Sequence, residues 1–372
     1  MVVKIIAVVV GIIILSIGSF LLFQNNSSDF SRSSRNNNSQ ITEKTPDRKD
    51  IEILATNLDV PWSLDFLPDR RGIFTQRPGS IKMLDKNGEV TDFNFEISEV
   101  KHIGEGGLLG IVVDPAFETN KFVYVYYTYS SNGSNTLNRV VRYRFNDDNL
   151  IDKTVLVDKI PGASNHNGGR IKFGPDGFLY ITTGDAQNPS QSQDRNSLAG
   201  KILRVDRKGK PASDNPFNNS TYSYGHRNPQ GISWNSNRQL YETEHGPLAH
   251  DEINRIAKGG NYGWPTIQGT QSKEGMISPI KESGIGTWAP SGAEFYNDRL
   301  FYAGLRGTAL FEAKIENEFV NLTEHFKNEF GRVRDVVLGP DNLLYVLTSN
   351  TDGRGIPSGD DDKIIRINPE KF

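Results

Sequence analysis

Two patterns of apolar and polar positions divide the chain. From Ile5 to Phe23 no residue is charged, and only Gly11, Ser16, Gly18 and Ser19 interrupt the apolar run, with Lys4 in front of it. A run of that length can cross the hydrocarbon core of a bilayer. It predicts a transmembrane signal-anchor helix or a signal peptide over residues 1–23. No small-x-small cleavage site follows Phe23 and the run exceeds an ordinary signal-peptide core, which favours the anchor. Residues 24–50, with the stretch NNSSDFSRSSRNNNSQ, are polar and nearly free of apolar side chains. Such a segment cannot bury enough surface to order itself and reads as a disordered linker. From Ile51 to 369 the pattern changes to short strands rich in Val, Ile, Tyr and Phe, punctuated by Gly, Pro and Asp. GRIKFGPDGFLYITTGD followed by GKILRVDRKG is the clearest unit, and RVRDVVLGPDNLLYVLTSN with DDKIIRINPE repeats it. Six such units follow one another at roughly 50-residue spacing, the size of a four-stranded propeller blade. The expected fold is therefore all-β, a six-bladed β-propeller. An array of β-sandwiches is the alternative, but six units of one pattern close naturally into a ring.

Composition adds exclusions. The 372 residues include 36 Gly and 18 Pro, which suits a turn-rich strand fold. The net charge of −3 gives no electrostatic footprint for nucleic acid. Cysteine is absent. That removes disulfides, thiolate nucleophiles, Cys-ligated metals and lipidation through sulfur.

In a propeller, chemistry gathers near the axis on the loops of one face. Ser164-Asn165-His166-Asn167-Gly168-Gly169-Arg170 places a histidine, whose ordinary pKa suits a general base, beside paired glycines. Thr183-Gly184-Asp185 supplies a carboxylate able to orient an imidazole. Gly225-His226-Arg227-Asn228-Pro229 offers a rigid polar clamp with the planar fork that recognises carboxylates. Glu244-His245-Gly246-Pro247 offers main-chain oxygens to a hard cation such as calcium. Arg306, Arg332 and Arg334 occupy comparable positions, and 332 and 334 point the same way from an extended strand. Arginines converging on one pocket imply a ligand with several carboxylates. Each loop taken alone is equally readable as a plain turn or surface charge.

The ordered set HNGGR…GPDGFLYITTGD, GHRNPQG, EHGPLAHDEIN…GGNYGWP and GRVRDVVLGPDNLLYVLT resembles the glucose/sorbosone dehydrogenases, the soluble pyrroloquinoline-quinone (PQQ) aldose dehydrogenases, over nearly all of residues 51–369. The resemblance implies PQQ held by Arg227, Asn228, Thr287, Arg306, Arg332 and Arg334, with Arg306 standing where relatives often have Lys. It implies calcium on the main-chain oxygens of Gly246 and Pro247. His166 would be the general base for the anomeric hydroxyl, oriented by Asp185. The activity implied is oxidation of an aldose to its lactone, with electrons passed to an external acceptor such as a quinone or a small redox protein. The domain is then expected outside the cytoplasm, anchored to the membrane by its N-terminal helix or secreted if that helix is cleaved. Glu105, in the loop GEGGLLG, takes the place of a Gln common in the family and enters the cofactor-binding set. An acid there opposes an anionic cofactor unless it is protonated or bound to a cation. The stretch TIQGTQSK after Trp264-Pro265 lacks the acidic side chain that some relatives use for a second, structural calcium, so no second ion is expected. Two rivals remain. A calcium-dependent propeller lactonase needs axial carboxylates and has no use for four arginines. A non-catalytic cell-surface propeller leaves His166, Asp185 and the arginines without a common purpose.

Overall fold

A computed structural model describes residues 42–44 and 50–372, apart from 134, 147, 148 and 318. The apolar run of 1–23 lies outside the described residues, and among those described no helix is long and apolar enough to cross a membrane. Six antiparallel sheets carry the chain. Blade 1 comprises Pro61–Phe66, Gly72–Gln76, Ser80–Leu84 and Val90–Glu96. Blade 2 comprises Leu108–Val113, Phe122–Asn132, Asn135–Asn146 and Asn149–Pro161. Blade 3 comprises Ile171–Phe173, Leu179–Thr183, Lys201–Val205 and Thr221–Tyr224. Blade 4 comprises Pro229–Trp234, Leu240–Glu244, Glu252–Arg255 and Lys281–Glu282. Blade 5 comprises Pro290–Tyr296, Arg299–Gly304, Ala309–Glu316 and Phe319–His325. Blade 6 takes three strands from the C-terminal end, Val333–Leu338, Leu344–Thr348 and Ile364–Ile367, and its outermost strand from Ile51–Ala55. The first strands of successive blades pack on one another in a closed cycle, which makes the six-bladed propeller.

The burial of the strands follows their place in the ring. First strands sit between neighbouring blades and are buried on both faces, as in the continuous apolar run Leu108–Val113. The outer strand Val90–Glu96 alternates exposed and half-buried positions, as expected of a sheet edge facing solvent on one side. The Gly-Pro-Asp turns recur with one chemistry. Asp176 accepts the Phe178 N–H and the Tyr180 hydroxyl. Asp341 accepts the Leu343 N–H and the Tyr345 hydroxyl in the same way. In blade 2 the Tyr124 hydroxyl donates to Asp114.

Thr42–Lys44, assigned to the linker on sequence, pair in parallel with Thr323–His325 as a fifth strand on blade 5. An outermost strand presents unpaired N–H and C=O groups, so even a polar segment can add to it.

The axis is filled by polar side chains. The Arg170 guanidinium donates to the Gln230 carbonyl, the Ser63 hydroxyl and the Asp335 carboxylate, and stacks 4.3 Å above the Trp62 ring. Arg170 lines the second of two cavities. One opens on the face where fourth strands end and first strands begin. The other, of about 310 Å³, lies toward the opposite face and is lined in part by Asp65, Lys172 and Glu294.

Candidate active site

Blade topology gathers the site. A loop entering a first strand and a loop leaving a second strand emerge on the same face of an antiparallel blade. Glu105, His166, Arg227, Asn228, Thr287 and Arg332 lie on the former kind; Asp185, Gly246, Pro247, Arg306 and Arg354 lie on the latter. All of these except Asp185 line one cavity of about 380 Å³, together with Arg334 on its strand.

Asp185 stands behind His166. Its Oδ1 lies 2.7 Å from His166 Nδ1, with Asp185 fully buried and the histidine side chain 17% exposed. The Trp264 indole N–H donates to the second Asp185 oxygen at 2.8 Å. Trp264 comes from the long connection between the third and fourth strands of blade 4, which climbs to this face and pairs Tyr224 with Asn261. A carboxylate on Nδ1 fixes the proton there and leaves Nε2 as the basic nitrogen of the neutral ring. Nε2 makes no protein hydrogen bond among the described residues. His166 has φ +61°, a conformation non-glycine residues rarely adopt. Gly184 lets this loop approach: a Cβ there would lie 2.0 Å from the His166 carbonyl oxygen.

Glu105 lines the cavity beside His166. One carboxylate oxygen accepts the His166 N–H at 2.9 Å and the Asn228 amide at 3.3 Å; the other accepts Arg354 at 2.6 Å. Burial pushes this carboxyl up. The charge of His245, the Arg354 hydrogen bond and the His166 N–H reverse that and hold it at about 2. His245 is itself pushed down by burial to about 4. At neutral pH the restraint on Glu105 therefore comes from Arg354 and the N–H.

The arginines are anchored unequally. Arg332 and Arg334 share the Asp352 carboxylate, at 2.8 and 3.7 Å. Arg334 also donates to the Gln230 side chain, and burial lowers it to about 9. Arg227 donates to the Gly246 carbonyl at 2.8 Å and lies over the Trp264 ring. Arg306 is exposed, and its guanidinium has no hydrogen-bond partner among the described residues. Thr287 donates to Asp251, whose carboxylate also takes the N–H groups of Gly246, Trp288 and Ala289. Among the described residues two buried guanidinium nitrogens at the cavity, Arg227 Nε and Arg334 Nε, and the ring nitrogen His245 Nε2 have no hydrogen-bond partner. Five arginines face two carboxylates, Glu105 and Asp251, across this wall. Such a wall suits a flat, multiply carboxylated ligand. For a cation, Gly246 and Pro247 supply two neutral oxygens, so a calcium there would take its remaining ligands from the bound molecule or water.

Beside the cavity lies a buried cluster whose His226 and Glu244 stood in the sequence motifs without a role and whose Glu242 the sequence analysis did not name. Ligand atoms of His226, Glu242 and Glu244 lie within 4.8 Å of one another. Burial raises Glu244 to about 8 and also pushes Glu242 well above its ordinary value, while His226 falls to about 3. Folding therefore favours the protonated form of Glu242. A carboxyl with a raised folded pKa contributes stability that is fully present below 4.5 and is lost as pH rises through its folded value. The slope is about 1.4 kcal/mol per pH unit for one proton. Glu242→Gln is expected to remove this slope. Urea midpoints of wild type and variant, measured from pH 5 to 9, should diverge in the variant's favour as pH rises.

Comparison with known proteins gives the family. The profile of the glucose/sorbosone dehydrogenase family matches residues 58–361. The chain belongs to that family of oxidoreductases. Named relatives and a solved structure are similar to it. The aldose sugar dehydrogenase YliI of Escherichia coli is 32% identical over 341 residues, 83% of this chain and 92% of its own. The quinoprotein glucose dehydrogenase B of Acinetobacter calcoaceticus is 31% identical over 270 residues, 64% of this chain and 56% of its own. The PQQ-bound aldose sugar dehydrogenase of Streptomyces coelicolor superposes with a TM-score of 0.81 at 36% identity, over 87% of this chain and 99% of its own.

Proposed function

We propose that this protein oxidises aldose sugars at the anomeric carbon to lactones, using PQQ and calcium. The observation that carries the reading is the His166–Asp185 pair, set into a cavity whose arginines present unpartnered buried donors. Arg227, Asn228, Thr287, Arg306, Arg332 and Arg334 would hold PQQ, and the carbonyls of Gly246 and Pro247 would hold calcium. When bound, PQQ with its calcium supplies the acceptor for the two electrons that leave with the anomeric hydrogen. The protein's own residues handle the proton and the position. His166 Nε2 takes the proton of the anomeric hydroxyl as that hydrogen departs, which converts the hemiacetal carbon to the lactone carbonyl. Asp185 holds Nδ1–H, keeps the ring in the required tautomer and stabilises the imidazolium that forms. Trp264 and the Gln187 N–H hold Asp185 in turn. In this reading the domain works outside the cytoplasm, held to the membrane through Ile5–Phe23, and an external quinone or small redox protein receives the electrons.

Reconstitution tests this directly. The chain with PQQ and calcium is expected to reduce an artificial dye only when an aldose is added, and to lose that activity when either cofactor is withheld. Absence of PQQ binding, with no dye reduction by any aldose of a broad panel, would refute the proposal.

A further inference from the structure

Resting on the proposed function, we infer that Arg354 is the counter-charge that makes Glu105 compatible with an anionic cofactor. The contact spans the mouth of the cavity. Arg354 leaves the loop after the second strand of blade 6 and reaches the loops that enter blades 2 and 3. One guanidinium nitrogen meets Glu105 Oε1 at 2.6 Å and another meets Asn165 Oδ1 at 2.6 Å. Its own loop is fixed because its N–H donates to Asp352, the carboxylate that Arg332 and Arg334 share. Glu105 is only 15% exposed and Arg354 is 49% exposed. A buried carboxylate thus sits on the wall of an arginine-lined cavity, and among the described residues Arg354 is its one salt-bridge partner, reaching it from the solvent side. The same carboxylate holds the His166 N–H and the Asn228 amide, so it cannot turn away from the cavity without releasing both.

Arg354→Gln leaves Glu105 without its salt-bridge partner beside any multiply carboxylated ligand. Removing both charges together removes the repulsion, because glutamine at 105 can still accept the His166 N–H. The test is PQQ affinity by equilibrium titration without turnover, with circular dichroism to check folding. R354Q is expected to weaken PQQ binding about tenfold or more, the scale of one close like-charge contact near a protein surface. E105Q/R354Q is expected to return to within about threefold of wild type, and E105Q alone to bind at least as tightly as wild type. Wild-type affinity in R354Q would overturn the inference. So would a double variant as weak as the single one, since that assigns the loss to a missing contact rather than to charge. A wild-type chain that binds no PQQ would overturn the proposed function and this inference with it, whereas tight wild-type binding that is insensitive to position 354 would overturn the inference alone.

Discussion

His166→Asn is expected to lower kcat by about 10²–10⁴-fold, the usual contribution of a positioned general base, while PQQ binding stays near wild type. Asparagine is the informative choice. His166 sits at φ +61°, and asparagine tolerates the left-handed region better than most residues. The loop and its Glu105 contact should therefore survive, so that only the base is lost. Dye reduction at saturating aldose, compared with a PQQ titration on the same preparation, separates chemistry from binding. Asp185→Asn should also reduce kcat, because an amide can hold the ring in the wrong tautomer. A His166→Asn enzyme with near wild-type kcat would remove His166 from the mechanism.

Asp335→Ala is expected to destabilise the fold by about 3–5 kcal/mol, the cost of breaking a buried ion pair by deleting one partner. Arg170 and Asp335 meet at 2.8 Å with side chains 2% and 4% exposed. Burial lowers the arginine and raises the aspartate from their ordinary values. Both directions say that desolvation outweighs the attraction of the pair. Hence the single variant strands a buried guanidinium, whereas Arg170→Met with Asp335→Leu should recover much of the loss. Urea unfolding of the three proteins decides this, provided the slopes of the transitions match. The damage should reach the cofactor face as well. Arg170 holds the Gln230 carbonyl, and the Gln230 side chain accepts from Arg334.

The ring was legible in the sequence because its units repeat a local chemistry. Gly-Pro-Asp turns with a tyrosine following in the next strand mark blades 3 and 6, and β-rich apolar runs mark the rest. The site was legible wherever a loop carried a motif, as with His166, Asp185, Arg227 and Asn228. Arg354 escaped although Asp352-Gly353-Arg354-Gly355 stands in the loop of blade 6 that corresponds to Leu305-Arg306-Gly307 in blade 5. Aligning the blades with each other would have found it. Trp264 stood in a recognised motif, but its partner Asp185 is 79 residues away, a contact that only the climb of its loop creates. The buried acids escaped for another reason. LYETE reads as a strand that turns its glutamates to solvent, yet all five positions are buried. Alternation signals exposure only where one face of a sheet is free, and neighbouring blades cover both faces here.

Ile51 lies opposite Ile367, so the first and last strands of the propeller are ladder partners. The domain thus has a seam rather than two remote ends. Blade order around the axis is cyclic, and the site depends on that order and not on where the polypeptide begins. The seam is an outermost strand of one blade, held through the pairs from Ile51↔Ile367 to Ala55↔Ile364. Unzipping it would expose one blade edge before any first strand moved. A pull from the N-terminal side is therefore felt first where Thr42–Lys44 edge blade 5 and next at the rim of blade 6, both away from the loops around the axis that carry the arginine-lined cavity.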